Sequence, residues 1–152
     1  HGHTDVNLIR RGLWSQDTTL QFQPDGADAG HLEEKYPTMN EEKAQADTVS
    51  VPVVRLSPFL DQPIDLLKLD IEGAETEVLL DCEDALDTVE NLFVEYHSYI
   101  DREQRIDDVL RVLREAGFRL HIQPELVAEQ PFNQRLNNFG MDHRLNIFGY
   151  RL

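Results

Sequence analysis

Ile64-Asp65-Leu66-Leu67-Lys68-Leu69-Asp70-Ile71-Glu72-Gly73-Ala74-Glu75 is the stretch on which the fold turns. Ile64 to Asp70 is a largely apolar run of strand length, which predicts a strand buried on both faces of a sheet. Gly73 punctuates it, and a helix is expected from about Ala74 to Leu80, with a further helical turn to about Leu86. Asn91 to His97 reads as the next strand. Ile106, Val109, Leu110, Leu113 and Ala116 then repeat on one face of a helix that Asp101 caps and Gly117 stops. Phe118 to Ile122 is a strand, Gln123 to Arg144 is loop-rich, and Asn146 to Leu152 closes the chain as a last strand. Strand, helix, strand, helix, strand at this spacing predicts two βαβ crossovers and a parallel sheet. Ligands in such sheets collect beyond the carboxyl ends of the strands, which directs attention to Asp70 and His97.

Upstream of that stretch, Val6 to Trp14 and Thr18 to Phe22 read as two strands, with Ser15-Gln16-Asp17 as the turn of a hairpin between them. Pro24 to Thr48 is polar and acidic and is expected to be a long surface loop. Val49 to Leu56 is a further strand, and Pro52 inside it points to an edge position. Ser57-Pro58 starts a short helix to about Leu60, with Ser57 as its cap.

The chain has 152 residues, 40% of them hydrophobic and 28% charged, a soluble globular composition with room for one core. No stretch approaches the ~20 apolar residues of a membrane-spanning helix. The start, His1-Gly2-His3-Thr4-Asp5, does not read as a signal peptide. The net charge of −15 repels a phosphate backbone, so neither nucleic acid nor a membrane is an expected partner. Cys82 is the single cysteine and reads as a small packed thiol. A cytoplasmic location fits that cysteine usage.

Side chains alternate along a strand, so Leu66, Lys68 and Asp70 share one face, and Phe93, Glu95 and His97 share one face of the next strand. A Lys in a buried strand needs a partner, which Glu95 or Asp70 can supply; with Glu95 it reads as a structural ion pair. Asp70 is expected beside His97 at the ligand edge. A carboxylate next to an imidazole orients it and raises its proton affinity, which suits a general base for a hydroxyl. Glu72 sits where a helix begins and either stabilises the helix dipole or meets a substrate or metal. His31, His121 and His143 read as surface or packing residues. No glycine-rich phosphate cradle is present, and the absence of Cys-x-x-Cys and His-Glu-x-x-His indicates no zinc site.

The run from Ile64 to Glu75 resembles the hallmark of FkbM-type methyltransferases: an apolar strand followed by Lys-x-Asp-x-Glu-Gly-x-Glu. The family pattern continues through a helix to a strand ending Glu-x-His, matched by Glu95-Tyr96-His97. Asn7 to Trp14, Leu20 to Phe22 and Val51 to Leu60 resemble the family's segments upstream of the hallmark. The resemblance implies an α/β fold built on a Rossmann-like methyltransferase sheet, mostly parallel, with helices on both faces. Residues 1–152 would be the C-terminal portion of one such domain, from its third strand onward, lacking the N-terminal cofactor-binding strands. It further implies methyl transfer from S-adenosylmethionine to a hydroxyl of a small molecule, a sugar or a polyketide. Carried over by position, Asp70 and His97 are the catalytic residues, and Glu72 and Glu95 bind the acceptor. Leu13, Trp14 and Ser15 lie near the adenine end of the cofactor, with Trp14 and Ser15 as its contacts. No metal is assigned.

In that sheet Ile64 to Asp70 is central, and the strand that should flank it on one side has no counterpart in the sequence. Either Val6 to Leu13 or Val49 to Leu56 moves in beside it, or a second chain pairs there; self-association through the sheet edge is expected. Two other classes compete for the function. A metal-dependent phosphohydrolase would use Asp70 and Glu72 as a magnesium site, against which Ala74 counts. A non-catalytic binding module is the other.

Overall fold

In the computed structural model, which describes residues 5–24, 30–32, 49–126, 128–133 and 137–152, eight strands form two four-stranded sheets. The first sheet holds β1 (Gly12–Leu13), β2 (Thr18–Pro24), β3 (Gly30–Leu32) and β4 (Val49–Val54), in the order β1-β4-β2-β3. The second holds β5 (Ile64–Leu69), β6 (Val89–Tyr99), β7 (Arg119–Leu126) and β8 (Met141–Tyr150), in the order β5-β6-β8-β7. Helix α1 (Glu75–Asp81) joins β5 to β6, followed by a 3-10 turn at Glu83–Thr88, and α2 (Ile106–Glu115) joins β6 to β7.

This arrangement corrects the expected mostly parallel sheet with helices on both faces. Among the described residues, only β1 with β4 and β5 with β6 pair in parallel. The ladders β2–β3, β2–β4, β6–β8 and β7–β8 are antiparallel. Both crossovers exist, but β8 inserts in reverse direction between β6 and β7, so the second crossover spans an intervening strand. Local periodicity marks a strand and says nothing about its lateral neighbour. The helices share one face. Val78 and Leu79 of α1 and Val109, Val112 and Leu113 of α2 pack with Leu69, Leu92, Val94, Tyr96, Leu145 and Ile147 in one buried cluster.

The opposite face is open. Leu66 is 62% exposed and Phe148 37% exposed. Phe93 meets Phe148 edge-on, with ring centroids 5.1 Å apart. These residues, with Asn91 and Tyr150, line an apolar groove of about 570 Å³. The expectation that Ile64 to Asp70 is buried on both faces therefore fails, because no described element covers the Leu66 face; β5 is also an edge strand, with β6 as its sole described neighbour.

The upstream hairpin also differs. β4 lies between β1 and β2, so the two strands flank a third rather than pairing with each other. Pro52 sits opposite Thr19 of β2, whereas β1 reaches only Val53 and Val54. At Pro52 the strand thus has one described ladder partner, which is where a residue without an N–H is tolerated. Of the expected loop from Pro24 to Thr48, Pro24 ends β2 and Gly30–Leu32 form β3, paired with β2; the rest lies outside the described residues. Ser57 does not cap the 3-10 turn Ser57–Phe59; its hydroxyl donates to Asp81 at 3.2 Å instead. Arg105, not Asp101, stands at the N-cap of α2. Gly117 does stop that helix, with φ 85°. Pro124 lies within β7, an edge strand, and β8 begins at Met141, five residues before the expected last strand.

Candidate functional site

The carboxyl ends of β5 and β6 lie side by side because the two strands are parallel neighbours. Lys68 is level with Phe93 and Leu69 with Val94, so Asp70 comes level with Glu95, and His97 lies one alternation beyond on the same face. One ligand atom each from Asp70, Glu95 and His97 lie within 4.8 Å of one another. The expected meeting of Asp70 with His97 is thereby present. Of the two partners open to Lys68, it takes Asp70 and not Glu95: Lys68 Nζ donates to Asp70 Oδ2 at 2.8 Å, with its side chain 60% exposed. Glu95 meets Arg144 Nε at 3.4 Å and His97 Nε2 at 3.6 Å instead.

Between β5 and α1 the chain turns through Glu72 (φ 55°) and Gly73 (φ 95°), two left-handed residues in succession. Glycine is required at the second position. A Cβ there would stand 2.8 Å from Tyr99 Cε2, in a conformation that side chains disfavour. The turn brings Glu72 Oε2 to 3.7 Å from His97 Nε2.

Glu75 completes the cluster, and the sequence reading gave it no role. It is 1% exposed, and its Oε1 lies 3.0 Å from His97 Nδ1. The same carboxylate accepts the backbone N–H groups of Ile71 and Gly73, each at 3.1 Å. The signal was available in the helix period. Residues 75, 78, 79 and 82 share one face of α1, and Val78, Leu79 and Cys82 are core. An acid on a core-facing stripe must have found a partner.

Electrostatics follow from this geometry. Burial pushes the His97 imidazole down, but the hydrogen bond and charge of Glu75, with the charges of Glu72 and Glu95, outweigh it and hold His97 above its ordinary range. Burial, then the charge of Asp70, raises the Glu95 carboxyl against the pull of His97 and Arg144. Cys82, by contrast, is pushed up to about 12 by burial and by the charge of Asp81, and it is a buried thiol, as the sequence suggested.

Trp14 lines the same cavity as His97. Trp14 is buried against Val53 and Ala74, with Ile71 packed alongside, so its indole supports the turn. Ser15 is half-buried. Trp14, Gly73, Thr76, Tyr96, His97 and Tyr99 line a cavity of about 110 Å³. Pockets that hold molecules of nucleoside size run from about 300 Å³ upward. Among the described residues, the expected cofactor contacts therefore do not by themselves form a site that fits S-adenosylmethionine. His121 lies on the open face near Phe148, and His143 pairs in register with Ser98. The side chain of His31, with His1 and His3, lies outside the described residues.

Residues 2–120 match the family described as the methyltransferase FkbM domain. The chain belongs to that family. The FkbM match spans the turn, α1, β6 and α2, and so contains Asp70, Glu72, Glu75, Glu95 and His97. No curated protein and no solved structure matches the chain. The FkbM domain assigns the chain to the methyltransferases. Among the described residues no helix is long and apolar enough to cross a membrane.

Proposed function

We propose that this FkbM domain takes part in S-adenosylmethionine-dependent methyl transfer to a hydroxyl of a small molecule, and that the cluster at the ends of β5 and β6 handles the hydroxyl. The observation that carries this reading is the buried His97. Its Nδ1 is engaged by Glu75, and its Nε2 has only carboxylates at 3.6 and 3.7 Å, beyond hydrogen-bond distance. An imidazole held that way can accept a proton from a hydroxyl placed between Glu72 and Glu95. Asp70, level with Glu95, adds negative charge that stabilises the imidazolium formed. Asn146 supports the same placement. It lies opposite Glu95 on the sheet, and its buried Oδ1 has no hydrogen-bond partner among the described residues. A hydroxyl of a polyol acceptor would satisfy it. The methyl group would come from the cofactor, for which Trp14 and Ser15 do not by themselves form a site.

The test is turnover in the full-length enzyme. Asp70→Asn and His97→Gln should each lower kcat, His97→Gln by about 10²–10⁴-fold, with cofactor affinity nearly unchanged. Wild-type turnover in both variants would overturn the reading.

Self-association through the sheet edge is proposed on a second observation. β1 and β4 pair with each other in the first sheet, so neither fills the place beside β5. A second copy pairing along Ile64–Leu69 would complete the ladder and cover the Leu66 side of the groove.

A further inference from the structure

We propose that Glu75 is the positioning residue of the site: it holds His97 with the ring proton on Nδ1 and so turns Nε2 toward the acceptor. The second half of this statement rests on the methyl-transfer reading above; the first does not.

Hydrogen-bond logic fixes the tautomer. Backbone amides can only donate. Glu75 Oε1 accepts from Ile71 N–H and Gly73 N–H, and Oε2 accepts from Gly73 N–H. A carboxylate engaged that way has no proton to offer the ring, so the contact at 3.0 Å requires the hydrogen on Nδ1. The neutral imidazole then carries its lone pair on Nε2, the nitrogen that faces Glu72 and Glu95. Among the described residues no Lys or Arg pairs with Glu75, which is 1% exposed. Three N–H donors and the start of α1 take the place of a cation, and a buried carboxylate is costly without such partners.

The same side chain ties together the two halves of the site. Ile71 and Gly73 bracket the left-handed Glu72, so the amides that Glu75 accepts belong to the turn that carries Asp70 and Glu72. Through its other contact it sets the ring of His97 on β6. One carboxylate thus fixes the distance between the turn's acids and the imidazole. Outer partners of a working histidine generally contribute through tautomer, ring orientation and basicity. The groups that face His97 are Glu75 from α1, Asp70 and Glu72 from the turn, Glu95 from its own strand, and Arg144, its register partner on β8. Lys68 reaches the cluster through Asp70.

The experiment is long-range proton–nitrogen NMR of the histidine rings in the full-length enzyme, with Glu75→Gln as the variant. Gln keeps the shape and one acceptor oxygen but removes the charge. In the wild type, neutral His97 should carry its proton on Nδ1 and titrate above 6.5. In Glu75→Gln the titration should move to lower pH. The low-pH limb of kcat should move with it, and kcat should fall about 10- to 100-fold with KM unchanged. A wild-type His97 protonated on Nε2 in its neutral form would overturn the proposal. So would a folded Glu75→Gln with wild-type titration and kcat. If the variant fails to fold, the wild-type tautomer still decides. That arm uses no acceptor, so its failure is separate from failure of the methyl-transfer reading.

Discussion

At the upper end of the open sheet face, the His97 side chain is 1% exposed among Asp70, Glu72, Glu75 and Glu95. At the lower end of the same face, Leu66 is 62% exposed beside Phe93 and Phe148. An imidazole and a carboxylate, His97 and Glu75, are buried while Leu66 is open, the reverse of what burial by hydrophobicity alone would give. The upper end is covered because the Glu72-Gly73 turn folds back over it, fastened by backbone N–H groups to one carboxylate. Those bonds are local, and the chain supplies them itself. The lower end needs a separate element laid across it, and among the described residues α1 and α2 both lie on the other face.

If that contrast is right, the largest effect on stability should come from the closed end. Glu75→Ala removes the carboxylate from beneath His97 and leaves the Ile71 and Gly73 amides without their acceptor. Breaking such a buried pair costs about 3–5 kcal/mol, read as a lower urea midpoint. A midpoint equal to the wild type would show that the turn holds without it.

The closed end should also give stability a pH dependence. His97 is raised in the folded state, so its contribution is complete below its ordinary 6.5 and is lost as pH rises through the folded value. Glu95, also raised, acts with the same sign from its ordinary 4.5 upward. Stability should therefore fall as pH rises above 6.5, and His97→Gln should remove that part of the slope. Urea melts across this range check it; an unchanged slope in the variant would assign the effect elsewhere.

The open end should respond in association rather than in folding. Leu66→Lys should shift the protein toward monomer in light scattering at micromolar concentration, while its urea midpoint barely moves. A wild-type protein that is already monomeric, with freely exchanging Leu66 to Leu69 amides, would remove the proposed second copy. The smallest effect is expected at Lys68, whose partner is the half-exposed Asp70. Lys68→Met should leave the urea midpoint where it was, because exposed ion pairs contribute little. A large drop would mean that Lys68 supports Glu95 after all.

The sequence made the elements that bear the site legible, and with them the meeting of Asp70 and His97. An apolar run, a glycine and an amphipathic helix are local signals, and β5, α1, β6 and α2 carry them in full. The lateral order of strands was not legible. β8 between β6 and β7, and β4 between β1 and β2, depend on long-range pairing that no window of residues encodes. Alternation along the strands leaves both Glu95 and Asp70 open to Lys68. The register puts Lys68 level with Phe93, and that offset was enough to give Glu95 to Arg144. The sequence reading places the helix-start charge at Glu72 and gives Glu75 no role. Its place on the core-facing stripe of α1 held the stronger message.

In the proposed reaction an imidazole framed by acids at the ends of β5 and β6 takes the acceptor's proton. The pH–rate profile of the full-length enzyme tests it most directly. A base must be unprotonated to act, so kcat should rise with pH through the raised value of His97, above 6.5, and that limb should vanish in His97→Gln. The same limb persisting in the variant would contradict the account.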